Sequence, residues 1–224
     1  MSGTHYEACH AIRERILSAA ARRIPQASAA SQARALGLWR GQEVVFANEA
    51  QFLLVLDLGI FAPIGGHSRA LDREAKAGGY TEGSEEARVL AALSRAHFTL
   101  FRVGPAHPEG GVMAEDLLRG TPLRIQDQML ARKEVEGTGF AGRLMRIDDF
   151  EMTCGALAPI TDEVIEALAG RPATLQPTPQ FLPALTPIMD HDLIALRAAA
   201  MAEDFAARVY RTSLEHGLFG KLPQ

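Results

Sequence analysis

The residue that fits its surroundings least is Asp57, set between Leu53-Leu54-Val55-Leu56 and Leu58. An ionised carboxylate inside such an apolar run is costly to bury unless a cation or a hydrogen-bond donor meets it. Two uses follow. The carboxyl could be an acid with a shifted pKa that acts on a substrate, or it could face a polar seam or an arginine of a neighbouring helix, and the structural use is the commoner one. His67 and His97 are the histidines that would join Asp57 in a hydrolytic carboxylate and histidine set, provided that all three converge in one concave pocket.

The other chemistry-bearing patterns have plainer explanations. Gly137-Thr138-Gly139-Phe140-Ala141-Gly142 spells G-x-G-x-x-G, but a pyrophosphate site needs an apolar strand before the glycines and a helix N-terminus after them. Here Arg132-Lys133-Glu134-Val135-Glu136 precedes and a strand-like Gly142-Arg143-Leu144-Met145-Arg146-Ile147 follows, so a glycine-rich hairpin approach is expected and no dinucleotide cofactor. His5 and Cys9 share a helix face, yet two ligands make no metal site. Asp190-His191-Asp192 reads as the polar first turn of a helix. No Gly-x-Ser-x-Gly elbow is present; Ser68 reads as a helix cap and Cys154, among Met152, Leu157 and Ile160, as a packed thiol. Glu115-Asp116 and Asp148-Asp149 are adjacent pairs, which on a strand point to opposite faces and form no dyad.

Composition narrows the classes. Of 224 residues, 47% are hydrophobic and 22% charged, which is ordinary for a globular chain. The formal charge of −4 argues against a nucleic-acid partner held through phosphate neutralisation. The one basic concentration lies in residues 1–40, where Arg13, Arg15, Arg22, Arg23, Arg34 and Arg40 face Glu7 and Glu14. Two cysteines, Cys9 and Cys154, give no disulfide framework, and with no visible signal segment the expected compartment is the cytoplasm. The longest apolar stretch, Phe52 to Ala62, is too short for a bilayer core of about 30 Å at about 1.5 Å per residue.

The elements that position these residues are read from periodicity and caps. Thr4 and Glu7 are spaced as a capping box, and Cys9, Ile12, Ile16, Ala20 and Ile24 mark one face of a helix over 5–24 that Pro25 ends. A second helix is expected over 29–40. Asn48 caps a third that is apolar nearly all round from Phe52. Ser68 and Ser84 are placed to cap helices over 69–77 and 85–96. Strands come next at 97–103, 112–118, 123–127, 140–147 and 150–159, the last two joined as a hairpin by Asp148-Asp149. Thr161 caps a helix over 162–168. Pro172, Pro177, Pro179, Pro183 and Pro187 make an extended surface connector, and one long alanine-rich helix lies between 187 and 216, with Leu193, Leu196, Ala200, Phe205, Val209 and Leu214 as its buried contacts.

The expectation is a single α+β domain: a helical part over 1–96, a small antiparallel sheet or barrel-like meander over 97–160, and the connector with a long C-terminal helix over 161–224. With no assembled catalytic set visible, the functional expectation is a binding or interaction module with a protein partner or a second copy through the last helix, the small-molecule ligand being left open. The alternative is a hydrolase using Asp57, His67 and His97.

Overall fold

The computed structural model describes residues 2–63, 68–172 and 181–219. The architecture is α+β, and among the described residues it comprises eight α-helices, a two-strand hairpin and a five-strand sheet that closes in a ring. Helix α1 (Ser2–Ala21) buries Cys9, Ile12, Ile16 and Ala20 as the spacing predicts. It begins before Thr4, so the expected cap position falls within the helix. Pro25 occupies the N-cap position of α2 (Gln26–Ala35), where its fixed φ suits a helix start. The second helix is therefore earlier and shorter than 29–40. Gly37, at φ +73°, turns the chain into the hairpin of β1 (Trp39–Arg40) and β2 (Glu43–Val44), which the helical reading of this stretch overlooked.

Helix α3 (Glu49–Phe61) is capped by the Asn48 side chain, which accepts from the Gln51 N–H at 3.1 Å. It is not buried all round, since Phe52 and Leu53 are 42% and 39% exposed. Helices α4 (Ala70–Ala77) and α5 (Glu85–Ser94) come next. Ser84 caps α5 as expected, by accepting from the Ala87 N–H. Ser68 does not cap α4: Arg69 holds the N-cap position, and the Asp72 carboxylate reaches back to its backbone N–H at 3.1 Å.

The sheet contains β3 (His97–Ala106), β4 (Val112–Asp116), β5 (Thr121–Ile125), β6 (Gly139–Ile147) and β7 (Phe150–Ile160), in ring order β3-β4-β5-β7-β6. Every pairing is antiparallel except β5 with β7, which meet in parallel at Ile125 and Glu151. That parallel contact makes the sheet mixed, and the ring is not a true barrel. Phe101, Val103, Val112, Ala114, Ile125, Phe140 and Leu144 fill its interior together with Leu130. The expected β6–β7 hairpin is present, with Ile147 opposite Phe150 and Asp148 turning at φ +52°.

Helix α6 (Asp162–Leu168) leads into the connector, of which 173–180 lie outside the described residues. Its later part does not simply cross the surface. Leu185 is buried and donates its N–H to the Gly137 carbonyl at 2.9 Å, and Thr138 bridges to Ala184. The single long C-terminal helix is in fact two, α7 (Asp190–Ala199) and α8 (Phe205–Glu215). The break at 200–204 lets each segment aim its own apolar face, Leu196 from α7 and Phe205, Val209, Tyr210 and Leu214 from α8, into one core with Leu54, Leu58, Leu100 and Ala158. Burial of each such side chain contributes about 1.5–3 kcal/mol, more than the few propensity terms lost at the break.

The G-x-G-x-x-G segment is accounted for by this packing. Gly137 turns the chain at φ +82°, and a Cβ on Gly142 would stand 2.7 Å from Leu157 Cδ2 and 2.8 Å from the Ala156 carbonyl oxygen. Gly142→Ala is therefore expected to lower stability by about 1–3 kcal/mol, read as a lower urea midpoint with the slope of the transition unchanged.

Candidate functional site

Asp57 faces inward from α3 and is 4% exposed. Its Oδ2 accepts two hydrogen bonds, from Arg143 Nε–H on β6 at 3.0 Å and from the Tyr210 hydroxyl on α8 at 3.0 Å. The arginine expected to meet Asp57 thus comes from the sheet and not from a neighbouring helix. The Arg143 guanidinium lies over the rings of Phe61 and Phe98, 4.9 and 5.6 Å from their centroids, an arrangement that favours a desolvated cation. Phe98 in turn meets Tyr210 edge to face at 5.3 Å.

Burial raises the Asp57 pKa above the ordinary carboxylate value, against the lowering effect of the Arg143 charge and of the hydrogen bonds from Tyr210 and Arg143. Burial also pushes the Tyr210 hydroxyl well up, reinforced by the Asp57 charge. For Arg143, burial works to lower the pKa and the facing Asp57 charge overrides it, so the guanidinium stays a cation. The second carboxyl oxygen, Asp57 Oδ1, is buried without a hydrogen-bond partner.

Asp57 also forms part of a cleft of about 300 Å³ between α1, α3 and β7. Leu17 and Ala21 of α1, Leu53, Leu56 and Ile60 of α3, and Ala156 of β7 make it mainly apolar; Glu14, Ser18, Asp57 and Cys154 add the polar side chains. Gly155 opens one wall. It stands at φ +116° where β6 and β7 shift register, and a Cβ built on it would meet nothing within 4 Å. Burial, then the Asp57 charge, pushes the Cys154 thiol up to about 12, so this sulfur is a small uncharged wall group and not a nucleophile at neutral pH. Arg13 fixes α1 against β7 by donating to the Thr153 carbonyl, and it pairs with Glu14 at 2.6 Å.

Of the three residues named for a hydrolytic set, the structure does not bring the two described ones together. Phe98 is in register with Arg143, and His97 with Leu144. Successive residues on a strand face opposite sides, so His97 shares the side of Leu144, toward the ring interior, while Asp57 meets Arg143 on the outer side. His67 lies outside the described residues. His97 has its pKa lowered by burial first and by the nearby Arg119 charge second, and its Nε2 has no partner.

The remaining candidates are engaged locally. Asp116 accepts from the Thr99 hydroxyl and from the N–H groups of Leu118 and Arg119, which shapes the β4–β5 turn. Asp148 pairs with His5 and Arg88, whereas Asp149 pairs with Arg124. The basic N-terminal stretch is also largely engaged: Arg13 as above, Arg15 with Glu86, Arg23 with Glu74, and Arg34 over the Trp39 ring at 3.8 Å. Among the described residues, no three His, Cys, Asp or Glu side chains are grouped to hold a metal ion, and no helix is long and apolar enough to cross a membrane.

A family model described as "Family of unknown function (DUF7986)" matches residues 6–171. The chain belongs to this family. No curated protein and no solved structure matches it. The DUF7986 match includes Asp57, Arg143 and all the cleft-lining residues, while Tyr210 lies beyond it. Arg143, Tyr210 and the Gly155 wall were not singled out from the sequence. Arg143 did leave a signal, being the one charge in Phe140-Ala141-Gly142-Arg143-Leu144-Met145, a counterpart to Asp57 in its own apolar run. Tyr210 left none.

Breaking a buried pair strands the remaining charge, so Asp57→Ala is expected to cost about 3–5 kcal/mol, and Asp57→Leu combined with Arg143→Met to recover most of that loss. A double-mutant cycle by urea unfolding reads both values. His97 supplies a pH test. Its folded pKa lies below the ordinary 6.5, so the stability it contributes is complete above about 6.5 and is lost as pH falls through the folded value. Between pH 7 and 5 the unfolding free energy of the wild type should drop further than that of His97→Gln.

Proposed function

We propose that this DUF7986 chain is a binding module whose ligand is a small, mainly apolar molecule held in the cleft between α1, α3 and β7. The observation that carries this reading is a mainly apolar cleft of about 300 Å³ whose lining includes the buried Asp57. Ligand sites are concavities of about 300–1,000 Å³ whose walls are mostly hydrophobic and whose few polar groups set orientation. Perturbed titration in such a cleft, here at Asp57 and Cys154, supports the same reading.

The lining comes from three separate elements, and each is held in place by interactions outside the cleft itself. Arg13 ties α1 to β7, Asn48 caps α3, and Arg143 with Tyr210 fixes the inner face of α3. A cleft so supported is formed before the ligand arrives, which limits the ordering cost of binding.

Toluene, a neutral apolar probe without a hydrogen-bonding group, tests the cleft alone. In a titration followed by carbon-13 methyl NMR, shifts should concentrate at Leu17, Leu53, Leu56 and Ile60. Ser18→Trp, placed on the exposed face of α1 at the cleft, should abolish those shifts while changing stability by no more than about 0.5 kcal/mol. Shifts spread over other methyls, or unchanged in Ser18→Trp, would overturn the proposal.

A further inference from the structure

We infer that a second pocket, formed by α1 and residues 127–129 after β5, binds a small organic cation whose N–H groups meet the Tyr6 hydroxyl and the carboxylates of Asp127 and Glu7. This pocket shares no lining residue with the cleft between α1, α3 and β7, and the inference stands apart from the reading of that cleft.

The pocket has a volume of about 250 Å³ and is lined by Tyr6, Glu7 and His10 of α1 with Asp127, Gln128 and Met129. Tyr6 is only 8% exposed, its ring packed edge to face on Phe150 at 6.5 Å and tilted against His10 at 5.7 Å. Its hydroxyl makes no hydrogen bond among the described residues, yet it is not one of the sealed polar atoms. A phenol more than nine-tenths buried thus keeps an oxygen that a ligand can touch. Burial raises the Tyr6 pKa, and the next largest influence is the charge of Asp127, which lines the same pocket.

Asp127 is held in one place. Its Oδ1 accepts from the N–H groups of Met129 at 2.8 Å and Leu130 at 3.3 Å, and its Oδ2 from the Thr153 hydroxyl at 2.7 Å. All three donors are neutral, and neither Asp127 nor the exposed Glu7 has an ion pair among the described residues. Arg13, the cation whose charge also reaches Tyr6, is taken by the Thr153 carbonyl and Glu14. With His10 neutral, the pocket presents two negative charges and no cation.

That deficit selects the class of ligand. An anion would meet both carboxylates. A metal ion needs its ligands gathered around one point, and Glu7, His10 and Asp127 are not so gathered. An alkylammonium or guanidinium group directs N–H donors to acceptors that lie apart, while its carbon body covers the Tyr6 ring and the Met129 side chain, which is 44% exposed at the rim. The positive end of α1 opposes a cation, but that effect falls off within the first turn of the helix, and Tyr6 stands in the second. At about 30 Å³ for a water-sized unit, the volume holds on the order of eight non-hydrogen atoms, the size of a short alkylamine.

The test uses the intact chain at pH 7 and low salt, with butylammonium, tetramethylammonium, 1-butanol and butyrate as probes and the carbon-13 methyl of Met129 as reporter. Butylammonium should bind about tenfold more tightly than 1-butanol, which lacks the charge, and than tetramethylammonium, which lacks the N–H groups; butyrate should not bind. Tyr6→Phe deletes a hydroxyl that holds nothing in the fold, and Glu7→Gln removes a charge from an exposed helix position. Each should weaken butylammonium about threefold at an unchanged urea midpoint. If 1-butanol or tetramethylammonium equals butylammonium, if neither substitution weakens it, or if it leaves the Met129 methyl unmoved, the inference is overturned. If N-acetyl-lysine methylamide binds more tightly than butylammonium, the pocket takes a side chain of another protein and the free small cation is overturned. The toluene titration concerns the other cleft alone, so each reading can fail without the other.

Discussion

The two hydrogen bonds converging on Asp57 Oδ2 hold together segments that are distant along the chain: α3 in the helical half, β6 in the ring and α8 near the described end. Each partner alone would be a liability. A bare carboxylate in α3, a bare guanidinium on the outer face of β6 and a bare phenol in α8 would each lose hydration on packing, and only the three together satisfy most of their polar atoms. The surrounding core of Leu54, Leu58, Phe98, Phe205 and Val209 supplies the hydrophobic drive, but apolar contacts alone are tolerant of sliding. The polar cluster fixes where α3 and α8 sit on the sheet. The cleft between α1, α3 and β7, which Asp57 also lines, takes its dimensions from that placement.

The family match ends at residue 171, yet the fold depends on residues beyond that point. Leu185 extends the bonding of the ring at Gly137, and Tyr210 supplies one of the two donors to Asp57 Oδ2. The C-terminal part is structurally continuous with the family span and reaches the floor of the candidate site.

Local rules carried much of the fold. Asn48 and Ser84 cap their helices because a short side-chain acceptor before an apolar run has few other conformations as favourable; the β6–β7 hairpin was legible because two strand-like runs flank a two-residue acidic turn. Ser68 misled because its neighbour Asp72 offers a competing way to satisfy the same helix end. The break after Ala199 left no trace, since Met201-Ala202-Glu203-Asp204 contains no glycine or proline and the interruption comes from tertiary packing. In the candidate site, Asp57 was conspicuous for its apolar setting. Its partners were not, because pairing across the chain has no local signature, and Gly155 shapes the cleft through a register shift that only the paired strands reveal.

The parallel meeting of Ile125 with Glu151 has a kinetic consequence. The β3–β4, β4–β5 and β6–β7 pairings join neighbours in sequence and can form early, whereas β3 with β6 and β5 with β7 require longer loops to close, at greater entropic cost. The β5–β7 seam also has the sparsest ladder in the ring. Transient opening of the native state should begin at this seam, admitting solvent to Ile125 and Leu130 long before the helices release α3. A molecule built this way can breathe at its ring while the cleft beside α1 keeps its shape.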